Sequence, residues 1–300
     1  MRFVDIDLIN LPTGWQEKAD KALNELRDEI VRAEAEARAA GNDPAAARKS
    51  AITAGLDVPA RKKIWQELKS CLSALKNGKC WYSESRNPTA DKNVDHFRPK
   101  NRVDEDPDHD GYWWLAFHWR NYRYASQWCN QRRVNDVNGS SGGKCDRFPL
   151  QGSFRARSEA DDWELEEPKL LDPIDPDDWK LLTFRQDGHP TPAKQRGTPE
   201  YQRAEISIEI YHLHCSELVN ERRVLAGEIQ RLVQDMERLR LRISDGVMKA
   251  LYKNQQKELL RKIRPDAEYS AAALAFARAE IYTIVKGQQT KRDWLEEMLT

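Results

Sequence analysis

A chain of 300 residues with 49 Lys plus Arg against 49 Asp plus Glu carries no formal net charge, and 33% of it is charged, which favours helices with long solvated faces in one large or two to three small domains. Five scattered cysteines exclude a disulfide-rich secreted domain. No apolar run approaches a membrane span, and the segment from Met1 to Leu8 has acids inside its short apolar stretch, unlike a signal-peptide core, so a cytoplasmic protein with no membrane association is expected.

Residues 14 to 77 read as helices, because apolar or alanine positions recur at three- and four-residue steps through Trp15, Ala19, Leu23, Leu26, Ile30 and Ala33. Gly41-Asn42-Asp43-Pro44 breaks the first, with Asp43 as N-cap and Pro44 at the first helical position of the next. After a second break near Asp57 to Pro59, one amphipathic helix through Ile64, Trp65, Leu68, Leu72 and Leu75 is expected to end at Gly78. Asn87-Pro88-Thr89 reads as a turn between two short strands, the second ending at Asp95-His96. Asp104 to Asp110 is an acidic, turn-rich loop in which His109 is expected to be exposed. Ser140-Ser141-Gly142-Gly143 reads as a flexible loop or solvated turn. Residues 153 to 197, rich in Pro, Asp and Gly, suggest an irregular wrap. Thr198-Pro199 starts a helix, Thr as cap and Pro at the first position. Helical spacing then runs to about Ile243, with further helices expected from Gly246 to Ile263 and from Pro265 to Val285.

Charge is unevenly spread: 15 Lys or Arg against 10 Asp or Glu between Lys76 and Arg157, then 10 acids and a single Lys169 between Glu159 and Asp178. A basic segment beside an acidic one suits a DNA face next to a surface that repels DNA or meets a basic partner; two solvated faces are the simpler account.

The chemistry-bearing residues lie between Asp95 and Arg133. Cutting a phosphodiester takes a base for water, a divalent cation on the scissile phosphate and a positive charge for the developing negative one. His96 suits the base, since imidazole titrates near neutral pH. Asp95 and Asn130 offer hard oxygen ligands for one Mg²⁺ or Mn²⁺. Arg133, read as one helical turn beyond Asn130, would face a phosphate with it. The amide of Asn121 is suited to bonding a loop backbone and holding His96. Arg98, Lys100 and Arg132 are the further candidates for phosphate contact.

This order of residues resembles the HNH endonucleases, in which an Asp-His pair ends the first strand of a ββα-metal core, the Asn lies in the connecting loop and the last ligand lies on the helix. Asn130 is similar to the Asn variant of CRISPR effector nucleases. The strings Val94-Asp95-His96-Phe97-Arg98-Pro99-Lys100, Gly111-Tyr112-Trp113-Trp114-Leu115-Ala116, Cys129-Asn130 and Phe148-Pro149-Leu150 are similar to the HNH nucleases of bacterial anti-phage systems, of the Septu and retron-associated type. Leu170-Leu171-Asp172-Pro173, Asp187-Gly188 and Arg203-Ala204-Glu205-Ile206 match the extension that follows in that family. The resemblance covers roughly residues 75 to 225.

It implies a mainly α protein: helical N- and C-terminal regions, 1–77 and 198–300, around a small ββα-metal nuclease core at 78–152, with the wrap at 153–197 between. It implies a metal-dependent endonuclease acting on DNA, with RNA also allowed, that works with a separate ABC or SMC-like ATPase; no GxxxxGK[ST] phosphate loop occurs in this chain. Relatives carry two CxxC pairs around a structural zinc. Here they read Cys80-Trp81-Tyr82-Ser83 and Ser126-Gln127-Trp128-Cys129. Cys80, Cys129 and Cys145 are three thiols without a fourth ligand, so a vestigial site without structural Zn²⁺ is expected, its place taken by packing of Trp81, Tyr82 and Trp128. The alternative function is a catalytically inactive nucleic-acid-binding or scaffold subunit that keeps the fold.

Overall fold

The computed structural model describes residues 1–87, 91–242, 244–285 and 288–300, and the chain is mainly α with four two-stranded hairpins among those residues. The helices α1 (Trp15–Ala39) and α2 (Pro44–Asp57) lie against each other, and Asp43 caps α2 by accepting the Ala45 N–H at 2.9 Å. The single helix expected next is two, α3 (Pro59–Glu67) and α4 (Lys69–Ala74). The indole N–H of Trp15 takes the Ile64 carbonyl at 2.8 Å, and the Leu68 N–H turns to the Trp65 carbonyl instead, tightening the turn at this joint.

Strand β1 (Lys92–His96) pairs antiparallel with β2 (Tyr122–Ser126), placing Asp95 opposite Arg123 and His96 opposite Tyr122. The one-turn helix α5 (Gln127–Asn130) follows, capped by the Ser126 hydroxyl on the Cys129 N–H. No strand forms immediately before the 87–89 turn, part of which lies outside the described residues: the Cys80–Ser85 segment folds on itself, with the Glu84 N–H on the Cys80 carbonyl and the Cys80 N–H on the Ser85 carbonyl, both at 2.9 Å. Nor is 140–143 a solvated turn. Ser141–Gly142 forms β4 against β3 (Arg133–Val134), and Gly142 packs so close to His212 that a Cβ there would lie 2.4 Å from it.

The 153–197 segment holds 3₁₀ turns and the hairpin β5 (Leu182–Phe184) with β6 (Pro190–Pro192). Three of its acids are paired rather than merely solvated. Glu166 pairs with Arg98 at 2.7 Å, Asp172 with Arg123 at 2.6 Å and Asp178 with Arg203 at 2.7 Å, each tying the segment to the regions it wraps.

Thr198 caps α6 (Pro199–Ile210) as expected, with Pro199 at its first position. The helices α7 (Ser216–Arg240) and α8 (Gly246–Ile263) form a long antiparallel pair. The last expected helix is shorter: α9 (Ser270–Ala279) stops, and Tyr282–Val285 becomes β7, paired with β8 (Gln288–Lys291), before α10 (Asp293–Leu299). A Tyr-Thr-Ile-Val run is β-branched and favours a strand once the helix has ended. Two apolar cores result, one shared by α1 to α4, the β1–β2 region and α6, the other by α7 to α9 with Phe184. Glu84 joins them: its carboxylate takes Lys79 Nζ at 2.8 Å, the Ser270 hydroxyl at 3.0 Å and the Ala271 N–H at 2.9 Å.

Candidate active site

The end of β1 is held by Asn121. Its Oδ1 accepts the Arg98 N–H at 2.8 Å, and its Nδ2 donates to the Arg98 and Leu115 carbonyls at 3.0 and 3.3 Å. The Phe97 N–H bonds the Asn121 carbonyl at 2.8 Å. Three bonds thus fix the chain just after His96 to the loop before β2, and the Leu115 bond closes that loop on itself. Gly111 makes room for this loop: its φ is +75°, and a Cβ would stand 2.5 Å from the backbone of Asn101 and Arg102.

His96 is 5% exposed, with its Nε2 2.9 Å from the Ala116 carbonyl. A carbonyl only accepts, so Nε2 carries the proton and Nδ1 keeps its lone pair; no partner for Nδ1 occurs among the described residues. The rings of Trp65 and Tyr122 stand edge-on to the imidazole, centroids 5.3 and 5.0 Å away. Burial, then the positive charges of Lys100 and Lys144, hold His96 well below the usual imidazole range, against the Ala116 hydrogen bond. The ring is therefore neutral at pH 7. Lys100 Nζ lies over Trp65, 5.3 Å from a ring centroid. Trp65 brings an N-terminal helix into the site.

Asp95 points into the interior. Its Oδ2 accepts the Tyr82 hydroxyl at 2.6 Å and its Oδ1 accepts Lys144 Nζ at 3.2 Å; the same ammonium donates to the His96 carbonyl at 2.7 Å. Lys144 is fully buried and Asp95 is 3% exposed. Lys144 gets there because its N–H bonds the Cys129 carbonyl at 2.8 Å and because Gly143 precedes it: a Cβ on Gly143 would lie 2.0 Å from the Gln131 carbonyl oxygen. The described residues assemble no group of three His, Cys, Asp or Glu side chains able to hold a metal ion. With both oxygens of Asp95 already bonded, one by an ammonium, Asp95 as placed does not fit a divalent cation.

Three expected roles change. Arg98 is not available to phosphate: its guanidinium is buried, bonded to Glu166 and the Trp163 carbonyl at 2.7 and 3.0 Å and stacked on Phe148 and Trp163. Arg133 does not lie one helical turn past Asn130, because α5 ends at Asn130 and Gln131 is extended; Arg133 instead bonds the Gln127 side chain at 3.0 Å and lies over Trp128. His109 is buried, not exposed, with Nε2 2.7 Å from the Ala156 carbonyl and Nδ1 accepting the Gly111 N–H. Arg132 is exposed and Lys100 and Asn130 are partly buried.

Cys80 and Cys129 are fully buried, and their thiols hydrogen-bond each other. Ser83 and Ser126, at the positions where each CxxC pair would carry its other cysteine, complete the cluster by bonding Cys80 and Cys129 respectively. Burial would raise the Cys80 thiol, but these bonds outweigh it and pull it down to about 5. Cys145 does not join them: its Sγ accepts the Arg132 N–H at 3.0 Å. Lys144, Tyr82 and Trp65 were not legible as site residues; their only signal is proximity in space.

No protein-family model matches the chain. It is 30% identical over 229 residues, 72% of its own length and 68% of the relative's, to Septu protein PtuB of Bacillus mycoides (strain KBAB4). At that identity and coverage the chain belongs to the Septu PtuB family.

Proposed function

We propose that the chain is an HNH endonuclease that hydrolyses DNA phosphodiester bonds, as the nuclease component of a Septu anti-phage defence system whose ATPase is a separate protein. The observation that carries this reading is His96: neutral, fixed through Nε2 on the Ala116 carbonyl, with Nδ1 left as a base at the end of a hairpin that Asn121 locks. In this reading His96 Nδ1 takes a proton from water as the water oxygen attacks phosphorus. The ammonium of Lys100, over the Trp65 ring that flanks His96, offsets charge developing on the phosphate. Asn121 and Lys144 position His96 through its neighbouring backbone.

Dependence on Mg²⁺ or Mn²⁺ belongs to this proposal as a requirement to be tested; a cation on Asp95 would first have to displace Lys144. That ion pair is also the observation that favours the second reading, a catalytically inactive nucleic-acid-binding or scaffold subunit. Cleavage of supercoiled plasmid and of RNA with Mg²⁺, Mn²⁺ or EDTA, alone and with the partner ATPase, separates the readings. Metal-dependent nicking supports the endonuclease; binding without cleavage in every condition supports the scaffold.

A further inference from the structure

We propose that Cys80 and Cys129 are an oxidisable dithiol, a modification site that a peroxide-class oxidant closes to a disulfide. The two sulfurs are in hydrogen-bonding contact, in segments 49 residues apart that the fold brings side by side: the Trp81 N–H bonds the Tyr124 carbonyl at 2.8 Å, next to the strand leading into Cys129. A disulfide requires that the two side chains already meet, as these do. Both are fully buried, so an oxidant needs a route. One exists independently of the thiols. A cavity of about 480 Å³ is lined by Ser83, Lys92, Ser126, Trp128, Cys215 and Tyr269 among others, and Ser83 and Ser126 are the two residues bonded to the sulfurs. A small neutral peroxide fits that cavity.

Cys80 is the attacking sulfur, because it receives the Ser83 N–H at 3.5 Å as well as the Cys129 thiol, which stabilise negative charge on it. Its sulfur attacks the peroxide: an S–O bond forms, the O–O bond breaks, and the thiol proton leaves with the departing oxygen as water. Cys129 then attacks the Cys80 sulfur: the S–S bond forms, the S–O bond breaks, and hydroxide leaves with the Cys129 proton as a second water. The sulfur pair loses two electrons and the peroxide gains them. The cross-link ties the segment before β1 to α5, the helix that carries Asn130.

The test is hydrogen peroxide, with diamide as a thiol-specific control, on the reduced full-length protein, followed by denaturing alkylation and peptide mass mapping. The expected result is protection of two of the five thiols, loss of the mass of two hydrogens, and a Cys80–Cys129 peptide that disappears on reduction. The oxidised wild type should melt roughly 5 to 10 °C above the reduced form, and Cys80→Ser or Cys129→Ser should remove that shift. A linkage through Cys215 or Cys145, a sulfinic acid on Cys80 without a cross-link, or native thiols that stay unreacted while the urea-unfolded chain oxidises would each overturn the proposal. The mapping on wild type needs no variant to fold, and none of its outcomes depends on nuclease activity.

Discussion

Lys144 reaches back 49 residues to Asp95 and closes two bonds with one ammonium, at 3.2 Å to the carboxylate and 2.7 Å to the His96 carbonyl. Removing one partner of a buried pair leaves the other charge without compensation, which costs about 3–5 kcal/mol. Lys144→Met is therefore expected to lose about that much stability in urea titration, and Asp95→Asn combined with Lys144→Met to recover part of it. A loss below about 1 kcal/mol in the single variant would mean that the pair does not hold this end of β1.

Asn121 acts on His96 only through the backbone of Arg98 and Leu115. Asn121→Ala strands these groups in a buried site and should cost about 3 kcal/mol. The misplaced imidazole should lower cleavage about 10²-fold, mostly in kcat. Stability and kcat measured together decide whether the two effects travel as one; an unchanged kcat would remove Asn121 from the positioning of His96.

Arg98 and Arg132 separate a structural arginine from an exposed one proposed to meet phosphate. Arg98 is paired with Glu166 in the interior, so Arg98→Met should destabilise by about 3–5 kcal/mol and leave the salt dependence of DNA binding unchanged. Arg132, exposed on the chain just past α5, should behave the opposite way: Arg132→Ala should keep the melting temperature and reduce the slope of log Kd against log salt by about one. A reduced slope in Arg98→Met would return that side chain to the substrate surface.

Glu84 sets a pH dependence. Burial alone would raise its carboxyl, but the Met1 ammonium and Lys79, with the Ala271 N–H, hold it far below the usual carboxylate range. A carboxylate depressed in the folded state contributes stability above its unfolded pKa of about 4.3, and that contribution fades as pH falls below it. Wild-type stability should drop between pH 5 and pH 3 more steeply than that of Glu84→Gln, which should be less stable at pH 7. Parallel curves for the two proteins would show that Glu84 carries no charge-dependent stability.

What the sequence made legible follows from how local each signal is. The Asp43 and Thr198 caps, the helical periodicities on either side of the centre and the Asp95-His96 strand end depend on neighbouring residues and appear where expected. The amide bonds of Asn121 to a loop backbone also follow from residue type. What failed depends on distant partners. Arg98 and Arg133 look alike as basic residues near the motif, and only Glu166, 68 residues past Arg98, and Gln127 show that both are already engaged. Lys144 carries no motif at all, and its role rests on Gly143 and on a strand 49 residues earlier. The helix expected to Val285 ended early because β-branched residues beyond Ala279 found a partner strand.

The most direct measurement is plasmid nicking by wild type against His96→Ala, both shown folded by circular dichroism and both assayed with the partner ATPase and Mn²⁺. The account predicts a fall of at least about 10²-fold in cleavage with DNA binding retained, because only the Nδ1 base is removed. Equal nicking by the two proteins would contradict His96 as the base and with it the central claim.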